Sequence, residues 1–262
     1  MMNASKVLLA SVIAVMVFGA LAVKWIFFPA INESYFTMNV QAFRKVPFGL
    51  VVVRPTHFPK TARKGTMSDS VVVDGEPVRR LLGRNVTFKQ LIAAAYGQTP
   101  VHVVLPADVP GTNFDFLVTV KGDLQQSLQV AIRKQLDYIA QVEQRDTEAL
   151  ALKVVNAELP AFTISADVKS SAKFNHGRFY FTHMRPGMLV DWFEENLKVP
   201  VADETGLTNF YDFSIDWSPQ TQREINDEKT APAVVKKFVN GWGLVLEPDP
   251  EPVEMLVVKR AT

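Results

Sequence analysis

The sequence predicts an α+β protein: an N-terminal transmembrane helix over residues 1–30, then two tandem strand-helix-strand-strand-helix-strand-strand repeats. Three observations predict it. A charge-free apolar run follows Lys6 and covers residues 7–23. In residues 211–217, Phe213, Ile215 and Trp217 alternate with Asp212, Ser214 and Asp216, the period of two that marks a half-buried strand. Short helical stripes, such as Leu189, Phe193 and Leu197, alternate with such strands in one order that occurs twice. Helices of about three turns do not persist alone in water, so each must lay its apolar face on a sheet.

The chain of 262 residues has room for one large or two small domains. A net charge of +1 creates no global field that recruits nucleic acid. The absence of cysteine excludes thiol catalysis, zinc–thiolate sites and disulfides. At the N-terminus, Lys24 interrupts the apolar run and Trp25-Ile26-Phe27-Phe28 continues it. One reading is a cleaved signal peptide, with Ala20-Leu21-Ala22 as the small-residue site. The preferred reading is an uncleaved signal anchor: residues 7–28 at ~1.5 Å each span roughly 33 Å, enough for the hydrocarbon core. Either way the remainder is exported to the periplasm, and in the preferred reading a single pass in a bacterial inner membrane holds it.

Residues 31–47 read as a stalk. Residues 48–55 form a buried-type strand ended by proline. Residues 56–70 read as a solvated basic loop with Lys60, Arg63 and Lys64, and residues 71–75 as a strand and turn. The first repeat opens with a strand near residues 77–82. Thr87 and Gln90 have the spacing of a capping box, and Phe88, Leu91, Ile92 and Ala95 give the helix that Gly97 ends. Strands follow at 101–105 and 113–120, then a helix capped by Asp123 with the stripe Leu124, Leu128, Ile132. Residues 138–143 and 150–155 read as a closing hairpin.

The second repeat opens with a strand at 178–183. Pro186 stands at a first helical turn, where it is tolerated, and Leu189, Phe193 and Leu197 follow. Strands at 199–202 and 210–217 come next, then a charged insertion at 220–229. A helix opening at Pro232 carries Val235, Phe238 and Val239, and residues 244–246 and 255–258 read as its closing hairpin. The aromatic-Asp-Phe step falls at matching places, Asp115 and Asp212. The domain reading is therefore 1–30 anchor, 31–157 stalk and first repeat, 158–262 second repeat, with the polar stretch 165–177 between the copies.

Several of these segments resemble a soil-associated, acidobacterial family of exported proteins of unknown function. They are residues 48–55, 85–97, 136–155, 201–219 and 243–258. The run Asp203-Glu204-Thr205-Gly206-Leu207-Thr208-Asn209-Phe210-Tyr211-Asp212-Phe213 is the specific part. The chain departs from that family in a short connection before the second repeat and in Asn209, where glycine is frequent. The element order of 86–155 is also similar to the short N-terminal domains of secretins and TonB-dependent transducers. Those modules bind other proteins through exposed strands and helices, which is a fold-level analogy. Related modules occur on membrane metallopeptidases of the beta-lactam-sensor type, whose metallopeptidase motif this chain lacks.

Signatures of catalysis are scarce. His57, His102, His176 and His183 form no metal-ligand spacing, and His102, between Val101 and Val103, reads as projecting from the open face of a strand. No nucleophile elbow or phosphate-cradling glycine loop is present. The cluster Asp203, Glu204, Asp212 and Asp216 admits two readings: a carboxylate pair for glycan or peptide hydrolysis, or turn carboxylates that face water. The second is preferred. Trp192 lies about 100° around its helix from Phe193, which makes it the best candidate for an exposed aromatic contact. No catalytic residue, metal or cofactor is expected. The binding surface is expected at Trp192, Asp203, Glu204, Asp212 and Asp216, or at free strand edges. The expected function is a membrane-tethered binding or scaffolding module or accessory subunit with a protein partner in the envelope. An envelope hydrolase and a ligand sensor are the alternatives.

Overall fold

The computed structural model describes residues 32–73, 75–156, 158–185, 187–227 and 229–261. The anchor expected at 1–30, with the membrane contact at 7–28, lies outside them. Among the described residues no helix is long and apolar enough to cross a membrane.

The elements follow in mixed α+β order. A 3-10 turn at Glu33–Tyr35 and helix α1 (Val40–Phe43) precede strands β1 (Val51–Pro55), β2 (Gly65–Val73) and β3 (Glu76–Val86). Then come α2 (Phe88–Tyr96), a 3-10 turn at Pro100–His102, β4 (Val103–Val104), β5 (Phe114–Val118), α3 (Leu124–Leu136), β6 (Tyr138–Arg145) and β7 (Leu150–Val154). The second part holds β8 (Thr163–Ile164), β9 (Ser171–Asn175), β10 (Arg178–Met184), α4 (Gly187–Leu197), β11 (Val201–Asp203) and β12 (Tyr211–Asp216). It closes with α5 (Pro219–Asn226), α6 (Ala231–Gly241), β13 (Leu244–Pro248) and β14 (Val253–Arg260).

The chain forms two compact units. One holds the described residues through Leu91 together with Pro110–Gln135; the other holds Ile92–Val109 and the described residues from Leu136 onward. This differs from the expected division at 157/158, and the strand pairing explains why. The expected closing hairpins do not form. Instead β14 pairs antiparallel with β6 and parallel with β4, while β7 pairs antiparallel with β13 and parallel with β11. Each part of the chain thus lends its last strand to a three-stranded sheet built by the other. Backbone hydrogen bonds carry no record of which part a strand came from, so patterning alone leaves the partner open.

The first unit is a four-stranded antiparallel sheet in the order β1-β5-β3-β2. One face carries Val53, Phe114 and Phe116, and Phe88 at the start of α2 lies 5.8 Å from Phe114. Thr87 and Gln90 exchange bonds, N–H to Oε1 at 2.9 Å and N–H to Oγ1 at 3.2 Å, so the capping box is made. The Gly83 position has no room for a side chain, because a Cβ there would lie 2.0 Å from the Phe116 ring.

The other face carries Val52, Leu82 and Leu117 with Arg54, Arg80 and Arg84. Residues 32–48 cover it and are no stalk: Phe36, Phe43 and Val46 are buried there. Arg80 Nη1 donates to the Phe43 and Val46 carbonyls at 2.8 and 2.6 Å, at the end of α1 and just past it. The guanidinium groups of Arg54, Arg80 and Arg84 stand 4.3, 4.1 and 4.0 Å over the rings of Phe36, Phe48 and Phe58. The basic stretch expected as a loop through residue 70 enters β2 at Gly65, where Asp69 holds Arg44 by two bonds of 2.8 and 3.1 Å.

The second unit contains a sheet in the order β8-β12-β10-β9 and the two exchanged sheets. Its core packs Leu189 and Phe193 of α4 and Val235 and Val239 of α6 on Phe213 and Ile215 of β12, with Trp242 and Leu244 alongside. Burial therefore alternates along β12 as its sequence predicts. The charged stretch at 220–229, expected as an insertion, begins as helix α5, capped by the Ser218 hydroxyl and opened by Pro219.

Candidate functional site

The acidic residues picked out by sequence do not converge. Asp203 Oδ1 accepts the Thr205 amide at 3.0 Å and the Thr205 hydroxyl at 2.6 Å, which folds an Asx turn before Gly206. Glu204 is exposed and lies 3.6 Å from Lys153 on the exchanged strand β7, which Glu247 of β13 also reaches at 3.5 Å. These two carboxylates hold the Lys153 ammonium above its ordinary value, Glu204 most of all. Asp216 Oδ1 accepts the Ser218 amide at 2.9 Å just before α5. Trp192 is half-buried against Phe193, Trp217 and Phe238, with ring centroids 5.4, 6.4 and 6.2 Å away. It closes the core's margin and is not the exposed contact expected of it, because Trp217 and Phe238 arrive from elements distant in sequence.

Asp212 has a structural task. It accepts the His183 amide at 2.9 Å, and a bond from the Ser165 side chain is the main reason its carboxyl sits below the usual range. His183 has φ of 55° inside the irregular pairing of β10 with β12, so its amide turns toward the neighbouring strand.

A buried titratable cluster on α4 is one that pattern reading missed. Glu194 on α4 is 2% exposed. It accepts the Thr99 hydroxyl at 2.5 Å, His102 Nε2–H at 2.7 Å and the Val201 amide at 2.9 Å. His102 Nδ1 faces the Glu254 carbonyl of β14 at 3.0 Å, an atom that can only accept, so that nitrogen carries a proton. Burial raises the Glu194 carboxyl, but the bonds from His102, Thr99 and Val201 outweigh it and hold the group below its ordinary 4.5. The Glu194 bond in turn holds His102 above its ordinary 6.5. Desolvation, then the Glu194 charge, pushes Asp191 up.

His102 is therefore no surface histidine. It sits in a 3-10 turn, not on the open face of a strand, and Glu194 draws it inward. A sequence signal for Glu194 exists: it stands between Val190 and Leu197 at helical spacing, a carboxylate on an apolar face. Chemically the cluster is a charge clip. With both ring nitrogens donating, His102 has no lone pair to take a substrate proton, and the Thr99 hydroxyl is committed to Glu194. The clip ties α4, β11, β14 and the turn at Pro100–His102 into one frame. Among the described residues no group of three or more His, Asp or Glu side chains is placed to hold a metal ion.

The family model described as "Protein of unknown function (DUF3738)" matches residues 89–261, and the chain belongs to that family. No curated protein and no solved structure matches it.

Proposed function

We propose that this protein is a membrane-tethered extracytoplasmic binding module, an accessory or scaffolding subunit that engages a protein partner in a bacterial envelope. Residues 7–28 would hold it in the inner membrane with the remainder in the periplasm. One observation carries the reading: the sheet β8-β12-β10-β9 is packed on one face only, and its outer strand β9 is exposed. On its other face Tyr180 and Asp216 are exposed, while in the first unit residues 32–48 cover the matching face. A sheet with a free edge and an open face offers backbone and side chains to a partner. The resemblance to secretin and transducer modules, and to an acidobacterial exported family, supports the same reading by analogy.

A hydrolase built on Asp203 and Glu204 would need both in one cleft. Both are exposed, one in an Asx turn and the other beside Lys153, which favours the binding reading. The test is purification of the full chain in mild detergent with mass spectrometry of what accompanies it. A stoichiometric envelope protein that is lost when the preparation is heated past unfolding is expected. Recovery of nothing above background would sink the proposal, as would hydrolysis of envelope glycan or peptide that Asp203→Asn with Glu204→Gln abolishes.

A further inference from the structure

The outer strand of the open sheet has a polarity that says what it would take. β9 and β10 are joined by His176 and Gly177, whose φ values are 47° and 76°. Positive φ at both central positions makes a type I′ hairpin, in which the flanking pair Asn175 and Arg178 exchange hydrogen bonds. Counting back by twos, Lys173 and Ser171 also bond inward to β10. The amides and carbonyls of Ala172 and Phe174 therefore point outward from the sheet. Among the described residues no strand lies beyond them.

The side chains of Ala172 and Phe174 lie on the core face, opposite Phe181 and Phe179. Phe174 continues an aromatic row: its ring is 4.9 Å from Phe179, which is 5.7 Å from Trp217 and 6.1 Å from Phe181. Yet Phe174 is 57% exposed, so the row ends uncovered at the edge. On the opposite face Lys173 stands across from Tyr180. Arg178 has Asp216 across from it on β12, while Lys169 and Lys173 have no ion pair among the described residues. Asp167, in the loop before β9, is the nearby counter-charge in sequence.

We infer that the β9 edge receives an extended segment of a partner protein, added as a further strand, with apolar side chains beside Ala172 and Phe174 and an acidic side chain opposite Lys173. The motif is apolar–acidic–apolar. A second copy of this chain is disfavoured as the occupant. Antiparallel pairing of two β9 strands through Ala172 and Phe174 sets Lys173 directly opposite its equivalent, and like charges so placed repel. The inference rests on the binding-module reading and names the partner's chemistry at that module's edge.

The test uses the full chain in detergent and a fluorescein-labelled peptide of alternating valine and glutamate, read by anisotropy. A peptide with lysine in place of glutamate is the comparison. The glutamate peptide is expected to bind about fivefold more tightly to the wild type, and Lys173→Glu to invert that preference. Lys173 is exposed, so this variant leaves the fold intact. Ala172→Pro, which removes an outward amide, should weaken both peptides. Absence of binding, or a preference that Lys173→Glu leaves unchanged, overturns the assignment. If the co-purifying partner is still retained by Lys173→Glu, the edge assignment fails while the binding-module reading stands; if no partner is found at all, that reading fails first.

Discussion

The sheets β1-β5-β3-β2 and β8-β12-β10-β9 repeat one bonding scheme and differ in what covers it. In the first, Asp115 accepts the amide of Asn85, whose φ is 53°, at 2.9 Å and the Thr56 hydroxyl at 2.8 Å. In the second, Asp212 accepts the amide of His183 at φ 55°, together with the Ser165 side chain. The amides of Thr56 and Ser165 each donate at 2.9 Å to the residue before the next strand, Asn113 or Phe210. Irregular pairing falls between Gly83 and Val86 in one sheet and between Phe181 and Met184 in the other. Above this shared backbone the side chains diverge. Gly83 leaves space for the Phe116 ring, whereas Phe181 stacks on Phe213 at 4.9 Å. Asn85 is bonded by the Asn113 amide at 2.9 Å, whereas the His183 ring stacks on Phe210 at 4.0 Å. A carboxylate under a left-handed residue fixes the bulge in both sheets, and the covering decides whether a sheet becomes interior or stays available.

The two sheets differ most in what their carboxylates hold. Asp115 is fully buried and lies 3.4 Å from the buried Arg54, whose other partner is Glu33 at 2.9 Å. Asp115→Ala should cost about 4 kcal/mol, because it leaves a buried guanidinium half-compensated. Asp212→Ala, with no arginine to strand, should cost about 2 kcal/mol. Urea unfolding of the two variants checks both, and equal losses would mean that the arginine adds nothing.

Gly83→Ala should cost about 3 kcal/mol through the clash with Phe116, while Phe181, at the matching place, tolerates conversion to leucine at about 1 kcal/mol. Thermal melts should separate the two clearly.

The clip at Glu194 lies wholly within the second unit. Glu194→Gln should cost about 2 kcal/mol near pH 6. The signs of the two shifts set the pH profile. His102 is raised, so its contribution is full below 6.5 and is lost as pH climbs through the raised value. Glu194 is lowered, so its contribution is full above 4.5 and is lost as pH falls through the lowered value. Wild-type stability should therefore decline as pH rises above 6.5, and the variant should flatten that limb. An unchanged limb in chemical denaturation across pH 5 to 9 would show that His102 is uncoupled.

The smallest effect is at the bulges. His183→Asn with Phe210→Asn should recreate the amide pair of the first sheet. The two changes together should cost about 1 kcal/mol less than the sum of each alone in a double-mutant cycle. Strict additivity would deny that the two bulges are interchangeable.

Much of this was legible in the chain. The alternation at 211–217, the capping box at Thr87 and the stripes on α3, α4 and α6 specify local structure, because burial by period is a property of neighbouring residues. The repeated Phe-Asp-Phe and Tyr-Asp-Phe steps pointed to corresponding places in two sheets. Their reason, an amide received from a left-handed residue on the adjacent strand, depends on a partner some thirty residues away. The sequence also carried Glu194 on an apolar helix face, but His102 and Thr99, which make that position tolerable, come from about ninety residues earlier. Residues 31–47 read as a stalk, and only the arginines of β1 and β3 show that residues 32–48 are a cover.

The strongly periodic elements, such as β12, α3, α4 and α6, and the apolar side of each, were written in the sequence, since both follow from spacing along one chain. The tertiary structure alone decided that β7 and β14 change places between the three-stranded sheets. A strand's faces are written in its side chains, but its edges are backbone, and backbone pairs with whichever strand the packing brings alongside.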